Sequence, residues 1–233
     1  MPTRQSCGPP PAVRAIRSVT RGSSMTASAT GCEPADAGDL DTLVDVYVPA
    51  FFDDPVFGWV FPDPARRAEG LRGFFGTVAA STFAGGGSAL QADDFAAVSM
   101  FYPPDAPTPT DADQREFRDR LARSLGDQAD RALAVMALLE THHPHDLPPH
   151  YYVTFLAALP GHQGRGLGTR LQKAVFALAD ASGAGTYKEA SSPRNLALYE
   201  RLGHRRHGPE IRVPDGPPIW PILRPAHPRP ALR

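Results

Sequence analysis

Apolar side chains recur every three or four residues in two segments of the first third of the chain. The first segment runs from residue 36 to 51 and opens with acidic residues, which favour a helix N-terminus. The second surrounds residues 71–78 and stops at the glycines 85–87. Between them, prolines interrupt an aromatic stretch at 51–61. We therefore predict two helices, with the aromatic stretch contributing to the core.

The middle of the chain combines a short extended pattern with a helical one. Residues 88–91 and 95–102 have the composition of strands and flank the aspartate pair 93–94, which predicts a hairpin. Residues 113–141 return to helical spacing, with a break at Gly126. We interpret this last segment as two helices.

Strand and helix patterns alternate in the second half. An apolar and aromatic run at 150–159, bounded by prolines, predicts a buried strand, and a one-sided apolar pattern from Leu167 to Gly183 predicts a long helix. The elements expected after it are a strand at 185–190, a short helix at 195–202, and a hairpin of 205–213 with 219–223. This order favours a mixed α/β sheet over a purely parallel one.

The N-terminal segment has a different composition. Residues 1–25 carry four arginines and no acidic residue, and they lack the continuous apolar stretch of a secretion signal. The prolines 9–11 and the serines before Met25 favour a disordered leader, and Met25 is an alternative translation start. We predict a leader at 1–25 and a single domain at 26–233.

Composition and charge narrow the choice of partner. The 24 basic and 25 acidic residues nearly cancel, so no net field favours nucleic acid or an anionic membrane. No apolar run approaches the ~20 residues of a membrane span. The two cysteines, Cys7 and Cys32, give no disulfide framework. We therefore expect a cytoplasmic protein, monomeric or homodimeric, whose partner is a small molecule.

Four glycines crowd the junction between the strand at 150–159 and the helix after it: Gly161, Gly164, Gly166 and Gly168. At a helix start, backbone N–H groups point outward and the helix dipole favours an anion. Glycine has no Cβ to keep a diphosphate from the main chain, and it permits positive φ values. The spacing therefore predicts an anion-binding loop.

Several phosphate-bearing cofactors use loops of this kind, and the spacing separates them. No Gly-Lys followed by Ser or Thr is present, which disfavours a nucleoside triphosphatase. The dinucleotide fingerprint lacks its third glycine, since Thr169 and Leu171 occupy the two candidate positions. Glu189 lies at a suitable distance along the chain for a ribose contact, so a nicotinamide-dependent oxidoreductase stays open as an alternative. In each case, Arg165 and Arg170 can add positive charge to the loop.

The pattern Q-x-x-G-x-G at 163–168 resembles the acetyl-coenzyme A loop of the GNAT family of N-acetyltransferases. Segments at 192–196, 199–203 and 213–217 extend the resemblance and look like the puromycin N-acetyltransferases of that family. The resemblance implies an α/β fold with a mixed, mostly antiparallel twisted sheet, helices on both faces, and a splayed parallel strand pair that holds acetyl-coenzyme A.

The resemblance also implies roles for individual residues. Tyr199 would protonate the departing thiolate, and either Glu189 or solvent would take the proton of the amine. The implied cofactor contacts are Leu156, Ala157, Ala158, Gln163, Gly164, Arg165, Gly166, Leu167, Gly168, Thr169 and Asn195. Two departures from the family pattern, Lys188 for an apolar residue and His204 for a phenylalanine, predict altered packing with the chemistry retained.

Together these features predict transfer of an acetyl group from acetyl-coenzyme A to a small-molecule amine. The resemblance points to an aminonucleoside antibiotic as acceptor, in resistance or self-protection, and the first helix connection of this family helps to form the acceptor pocket. The alternative is a coenzyme A-binding or sensing module without efficient catalysis. His142, His143, His145 and His150 lie on a proline-rich connection without other zinc-type ligands, so we expect solvated loop histidines and no metal.

Overall fold

The computed structural model describes residues 31–144 and 146–227; the predicted leader, Met25 and His145 lie outside these residues. The helices are α1 Leu40–Phe51, α2 Pro55–Val60, α3 Pro64–Ala84, α4 Asp111–Leu125, α5 Ala129–His142, α6 Leu167–Ser182 and α7 Pro193–Arg201. The strands are β1 Cys32–Ala35, β2 Ser88–Ala92, β3 Ala97–Tyr102, β4 His150–Ala158, β5 Gly185–Ala190, β6 Arg205–Arg206, β7 Ile211–Arg212 and β8 Pro218–Arg224.

In the described part of the chain, the strands form one eight-stranded sheet in the order β1-β2-β3-β4-β5-β8-β6, with β7 pairing to β8. β4 and β5 run parallel, and the other pairs are antiparallel. A parallel pair needs a long crossover, which α6 supplies. The predicted mixed, mostly antiparallel sheet is therefore confirmed.

Helices cover both faces of the sheet. Neighbouring residues of a strand point to opposite faces, so each face contributes its own side chains to a separate core. Val98 belongs to the core beneath α1 to α5, whereas Ala97 belongs to the core beneath α6. The larger core is aromatic: the Phe75 ring lies 4.8 Å from Tyr47 and 5.0 Å from Phe155 between ring centroids. Phe57, in the predicted aromatic stretch, is 6% exposed, which confirms its place in the core.

Three elements near the N-terminus differ from the prediction. Residues 37–39 form a 3-10 turn, so α1 begins at Leu40. β1 was not predicted, because its four residues contain a proline and show no apolar alternation. α2 was not predicted either, although Asp54 and Pro55 form a typical helix start, with a capping carboxylate followed by proline at the first helical position.

The predicted strand at 205–213 is wrong. It consists of the two-residue strands β6 and β7, which pair separately with β8. Gly208 between them has a φ of 78°, and Pro209 has no N–H to donate, so the strand cannot continue. The other predicted helices and strands are confirmed, with differences confined to their ends.

Candidate functional site

Two parallel strands separate in the middle of the sheet. β4 and β5 pair at three positions, and the last pair joins Tyr152 to Tyr187. Beyond it, residues 153–158 and 188–190 have no strand partner across the gap, while β4 stays paired to β3 and β5 to β8. The gap therefore has two firmly held walls, with backbone polar groups on each wall that face no neighbouring strand.

A β-bulge bends β4 where the two strands separate. Thr154 has no counterpart on β3, because the pairing register shifts between Met100 and Phe101. The Thr154 hydroxyl donates to the Met100 carbonyl oxygen at 3.2 Å. Since a bulge bends its strand and raises the local twist, its position two residues beyond the last parallel pair explains why the gap opens there.

The loop at 163–166 leads from β4 towards α6. Gly164 and Gly166 have φ values of 76° and 83°, and a Cβ at either position would meet no atom within 4 Å. Glycine is therefore required by the backbone, and the space beside it is open. Within the described residues no side chain caps α6, so the first N–H groups of the helix lack a side-chain acceptor. This geometry suits an anion.

The loop is fastened to the end of β4. The Gln163 side-chain amide donates to the carbonyl oxygen of Ala158 at 3.3 Å. A Cβ on Gly168 would lie 3.3 Å from the side chain of Leu156, so the first turn of α6 packs closely on the strand. The side chain of Gln163, which the sequence assigned to the cofactor, thus holds the loop against β4 beside the gap.

Positive charge near the start of α6 is distributed differently from the prediction. Arg165 is exposed, but Arg170 forms a salt bridge with Asp93 in the turn between β2 and β3. Lys173 is exposed and lines a shallow pocket of about 300 Å³ together with Thr169 and Arg170. Sequence reasoning missed Lys173, although four residues of helix place it beside Thr169.

Helix α7 brings Tyr199 to the end of β5. Ser192 caps the helix by accepting the Asn195 N–H at 3.2 Å, and Asn195 lies one turn before Tyr199 on the same face. The Tyr199 side chain is buried, and its ring centroid lies 4.1 Å from Nζ of Lys188. Burial, reinforced by the charge of Asp54, raises the pKa of Tyr199, so the phenol keeps its proton at neutral pH.

Asp54 lies close enough to Tyr199 for its charge to act on the phenol, and sequence reasoning missed it. Its Oδ1 accepts the N–H groups of Val56 and Phe57 at 2.9 and 3.3 Å, while Oδ2 accepts the Ser191 hydroxyl at 2.6 Å. One carboxylate thereby joins α2 to the connection between β5 and α7. Burial raises the pKa of Asp54, and these hydrogen bonds oppose the rise.

Glu189 lies on the opposite face of β5 from Lys188, because neighbouring residues of a strand alternate. It accepts a hydrogen bond from the Tyr152 hydroxyl at 3.1 Å. Burial raises the pKa of Glu189 to about 7, and the bond from Tyr152 opposes the shift. A carboxylate with this pKa can accept a proton near neutral pH.

The two departures from the family pattern both contact Tyr199. Lys188 lies over its ring, and the imidazole of His204 lies 5.7 Å from it between centroids. His204 is 2% exposed and shares a hydrogen bond of 3.2 Å with the Thr186 hydroxyl. Burial lowers the pKa of His204 to about 3 and that of Lys188 to about 7. His204 is therefore neutral at pH 7.

The described histidines of the predicted connection differ from one another in secondary structure and in burial. His142 is the last residue of α5 and His150 the first of β4. The His143 ring lies 4.9 Å from Tyr152 and 5.0 Å from Tyr187 between centroids, so it is partly buried rather than solvated. Among the described residues, no group of His, Cys, Asp and Glu is placed to hold a metal ion, and no helix is long and apolar enough to cross a membrane.

Known proteins resemble this chain in sequence and in fold. A family model described as the acetyltransferase (GNAT) family matches residues 89–204, which include both strands of the gap, the glycine loop, α6 and α7. A solved structure from Corynebacterium glutamicum, described as histone acetyltransferase HPA2 and related acetyltransferase, is 28% identical, with a TM-score of 0.62 over 86% of this chain and 98% of that chain. The chain has the GNAT acetyltransferase fold.

Two further solved structures are more distant in sequence. Arylalkylamine N-acetyltransferase 2 from Aedes aegypti is 14% identical, with a TM-score of 0.55 over 84% of this chain and 98% of that chain. An agmatine N-acetyltransferase is 17% identical, with a TM-score of 0.50 over 82% and 97%. These two show the fold alone. The match to the family model supports the assignment of this chain to the GNAT family. Membership of that family implies acyltransferase activity, and its enzymes generally use acetyl-coenzyme A as co-substrate.

The GNAT fold brings most of the predicted site residues to one gap. Residues 156–158 form one wall and 163–169 lie at its end, whereas α7 places Asn195 and Tyr199 beside the opposite wall. Glu189 does not join Tyr199, since its side chain leaves the other face of β5.

Proposed function

We propose that this GNAT protein transfers the acetyl group of acetyl-coenzyme A to the amine of a small molecule. The observation that carries this proposal is the gap between β4 and β5, which opens beside the uncapped N-terminus of α6. A helix N-terminus binds phosphate, and an open strand edge binds amide groups. Coenzyme A carries a diphosphate at one end of an amide-containing arm, so one molecule matches both features.

The residues present fit this co-substrate. The open space beside Gly164 and Gly166 lets diphosphate oxygens approach the N–H groups of 164–169. The backbone of 156–158, which has no strand partner across the gap, suits the amides of the pantetheine arm, and Asn195 would orient that arm from α7. When bound, acetyl-coenzyme A supplies a thioester whose carbonyl carbon is open to attack.

The transfer needs a neutral amine, a donor to the carbonyl oxygen and an acid for the thiolate. Backbone N–H groups near Ala157 and Ala158 would donate to the oxygen as it becomes negative. Tyr199, protonated and buried, would give its proton to the sulfur. Glu189, whose pKa is about 7, would accept the amine proton through water, with solvent as the alternative base.

The acceptor we would test first is an aminonucleoside antibiotic, with resistance or self-protection as the biological role. The resemblance of 192–196 and 199–203 to puromycin N-acetyltransferases supports this choice. Two of the similar structures are named for other amines, agmatine and arylalkylamines. These amine classes belong in the same panel.

Release of free coenzyme A tests the proposal. The protein is incubated with acetyl-coenzyme A and aminonucleosides, polyamines or arylalkylamines, and thiol release is measured alongside the mass of the product amide. We expect saturable release with at least one amine. Acetyl-coenzyme A binding without release would favour the binding or sensing module. Failure to bind it, or binding of a reduced nicotinamide dinucleotide instead, would overturn the proposal.

A further inference from the structure

Lysine is rare in this chain, and one of its lysines is buried. The sequence contains 22 arginines and two lysines, Lys173 and Lys188. Lys173 is exposed, whereas Lys188 is 2% exposed on β5. Lysine is almost never fully buried without a paired carboxylate, because the ammonium loses its hydration. Among the described residues Lys188 forms no salt bridge, so packing alone does not explain a lysine here.

The contact that Lys188 does make is with Tyr199. Its Nζ lies 4.1 Å from the ring centroid, within the range of a cation–π interaction. The alternation of β5 places Lys188 on the side of α6 and α7, away from the Glu189 side chain. His204, neutral at pH 7, also contacts the Tyr199 ring, with 5.7 Å between the ring centroids.

The groups around Tyr199 differ in whether they oppose or favour a negative charge on its oxygen. When the phenol gives up its proton, negative charge appears on its oxygen, and both burial and the Asp54 carboxylate oppose that charge. Arg224 contacts the Phe176 ring and pairs with Asp180, so its charge is already compensated. The cation in contact with the Tyr199 ring is Lys188, and a cation at this distance favours the phenolate.

We propose that Lys188 is a positioning residue for Tyr199: its ammonium, held against the ring, lets the buried phenol act as the acid for coenzyme A thiolate. This inference rests on the proposed function. In the step, the amine nitrogen bonds to the acetyl carbon, the carbon–sulfur bond breaks with its electron pair on sulfur, and the phenolic proton moves to the sulfur. The proton lost by the amine passes through water to Glu189 or solvent, and one proton then returns to the phenolate, so no other reactant is needed.

A double-mutant cycle tests the coupling. Lys188→Met keeps most of the apolar stem of the side chain and removes its charge. We expect this change to lower kcat about tenfold in the native background, with KM for acetyl-coenzyme A changed less than about twofold. In a Tyr199→Phe background the same change should alter kcat less than about twofold, because the group it acts on is gone. Equal losses in both backgrounds, or no loss in either, would overturn the inference.

The pH profile gives a readout that a purely structural role would not move. The ammonium of Lys188 is lost as pH rises through a pKa of about 7, so kcat at saturating substrate should decline on the alkaline side. The titratable groups whose charges act on this pair are Glu189 and His204 for Lys188, and Asp54 for Tyr199. Lys188→Met should abolish the alkaline decline; its persistence in that variant would count against the inference.

A measurement without catalysis separates failure of this inference from failure of the proposed function. Protein labelled with ¹³C at lysine should give two ε-carbon signals, one for each lysine, and the exposed Lys173 serves as the internal reference. The Lys188 signal should carry a ring-current shift that disappears in Tyr199→Leu. If the two lysines give the same shift and titrate alike, Lys188 does not contact the ring and the inference fails, whatever the enzyme acetylates.

Discussion

The two ends of the gap between β4 and β5 use different chemical groups. At the α6 end, the groups are backbone amides on exposed residues, and Gly164 and Gly166 hold them in place through positive φ values. At the α7 end, the groups are the buried side chains of Lys188, Tyr199 and His204, each with a pKa displaced by burial. The backbone amides of the first end can bind a ligand through their fixed geometry, whereas the titratable side chains of the second end can transfer protons. Substitutions at the first should change affinity, and substitutions at the second should change turnover.

The largest effect should come from Tyr199→Phe. Loss of a general acid lowers kcat by roughly a hundredfold or more, while KM for acetyl-coenzyme A should stay within about threefold because the loop is untouched. Tyr151→Phe is a matched control on the same face of the sheet, where the ring packs on Phe101 in the core beneath α6. Steady-state kinetics at several pH values would measure both. A Tyr199→Phe enzyme with native kcat across pH would remove the acid role.

The next effect concerns folding stability and pH. The pKa of Lys188 is lowered to about 7 in the folded protein, whereas an unfolded lysine binds its proton up to about 10.5. Between these values the unfolded chain holds more protons, so native stability should rise with pH, by on the order of 2 kcal/mol from pH ~7 to ~9.

Comparison with Lys188→Met isolates this contribution. The variant lacks the proton difference, so it should be the more stable protein near pH ~7, and its advantage should shrink as pH rises. Chemical denaturation at a series of pH values checks the sign. If the difference in unfolding free energy between the two proteins stays constant with pH, the pKa of Lys188 is not lowered in the folded protein.

A smaller effect should distinguish the two ends of α6. Gly166→Ala places a Cβ in the left-handed region at the start of the helix and in the space proposed for the diphosphate, so Kd for acetyl-coenzyme A should rise about tenfold. Gly183→Ala is a matched control, because Gly183 ends the same helix with a φ of 69° and equally open surroundings. Both should cost about 1–2 kcal/mol of stability. Calorimetry that finds equal affinity losses would contradict the placement of the diphosphate.

The smallest effect should come from the link between α2 and α7. Asp54→Ala removes a helix cap and the bond from Ser191, and Asp63→Ala removes an exposed cap that accepts the Ala65 N–H at 2.9 Å. Both carboxylates precede a proline at the first helical position, although Asp54 accepts two backbone N–H groups and Asp63 accepts one. Asp54→Ala should cost about 1 kcal/mol more, as measured by thermal unfolding, because the buried bond is lost as well. Equal costs would mean that the bond from Ser191 adds nothing.

Local signals in the sequence were sufficient for most of the elements. The one-sided apolar pattern predicted α6 to the residue at its start, and the Asp93-Asp94 turn predicted the hairpin of β2 and β3. The Gly208-Pro209 break in the predicted strand at 205–213 was visible in the sequence too. The composition nevertheless favours a strand, because the β-branched residues Ile211 and Val213 alternate with Arg212 after the break.

The contacts at the buried end could not be predicted in this way. Asp54 and Ser191 are 137 residues apart in the chain, and no periodicity relates them. Lys188 was recognised as a departure from the family pattern, yet its position over the Tyr199 ring depends on how α7 packs on β5. The bulge at Thr154 depends on register with β3 in the same way. Such features come from tertiary packing, which local propensity does not encode.

The short bond from Ser191 to Asp54 has a consequence for anyone who redesigns this protein. It joins the second helix of the chain to the peptide that carries Ser192, the cap of α7. A library of changes in α2, made to admit a bulkier amine, would shift that peptide as well. Selection for a new substrate in the first half should therefore be accompanied by slower turnover, and second-site revertants should arise around 191–192.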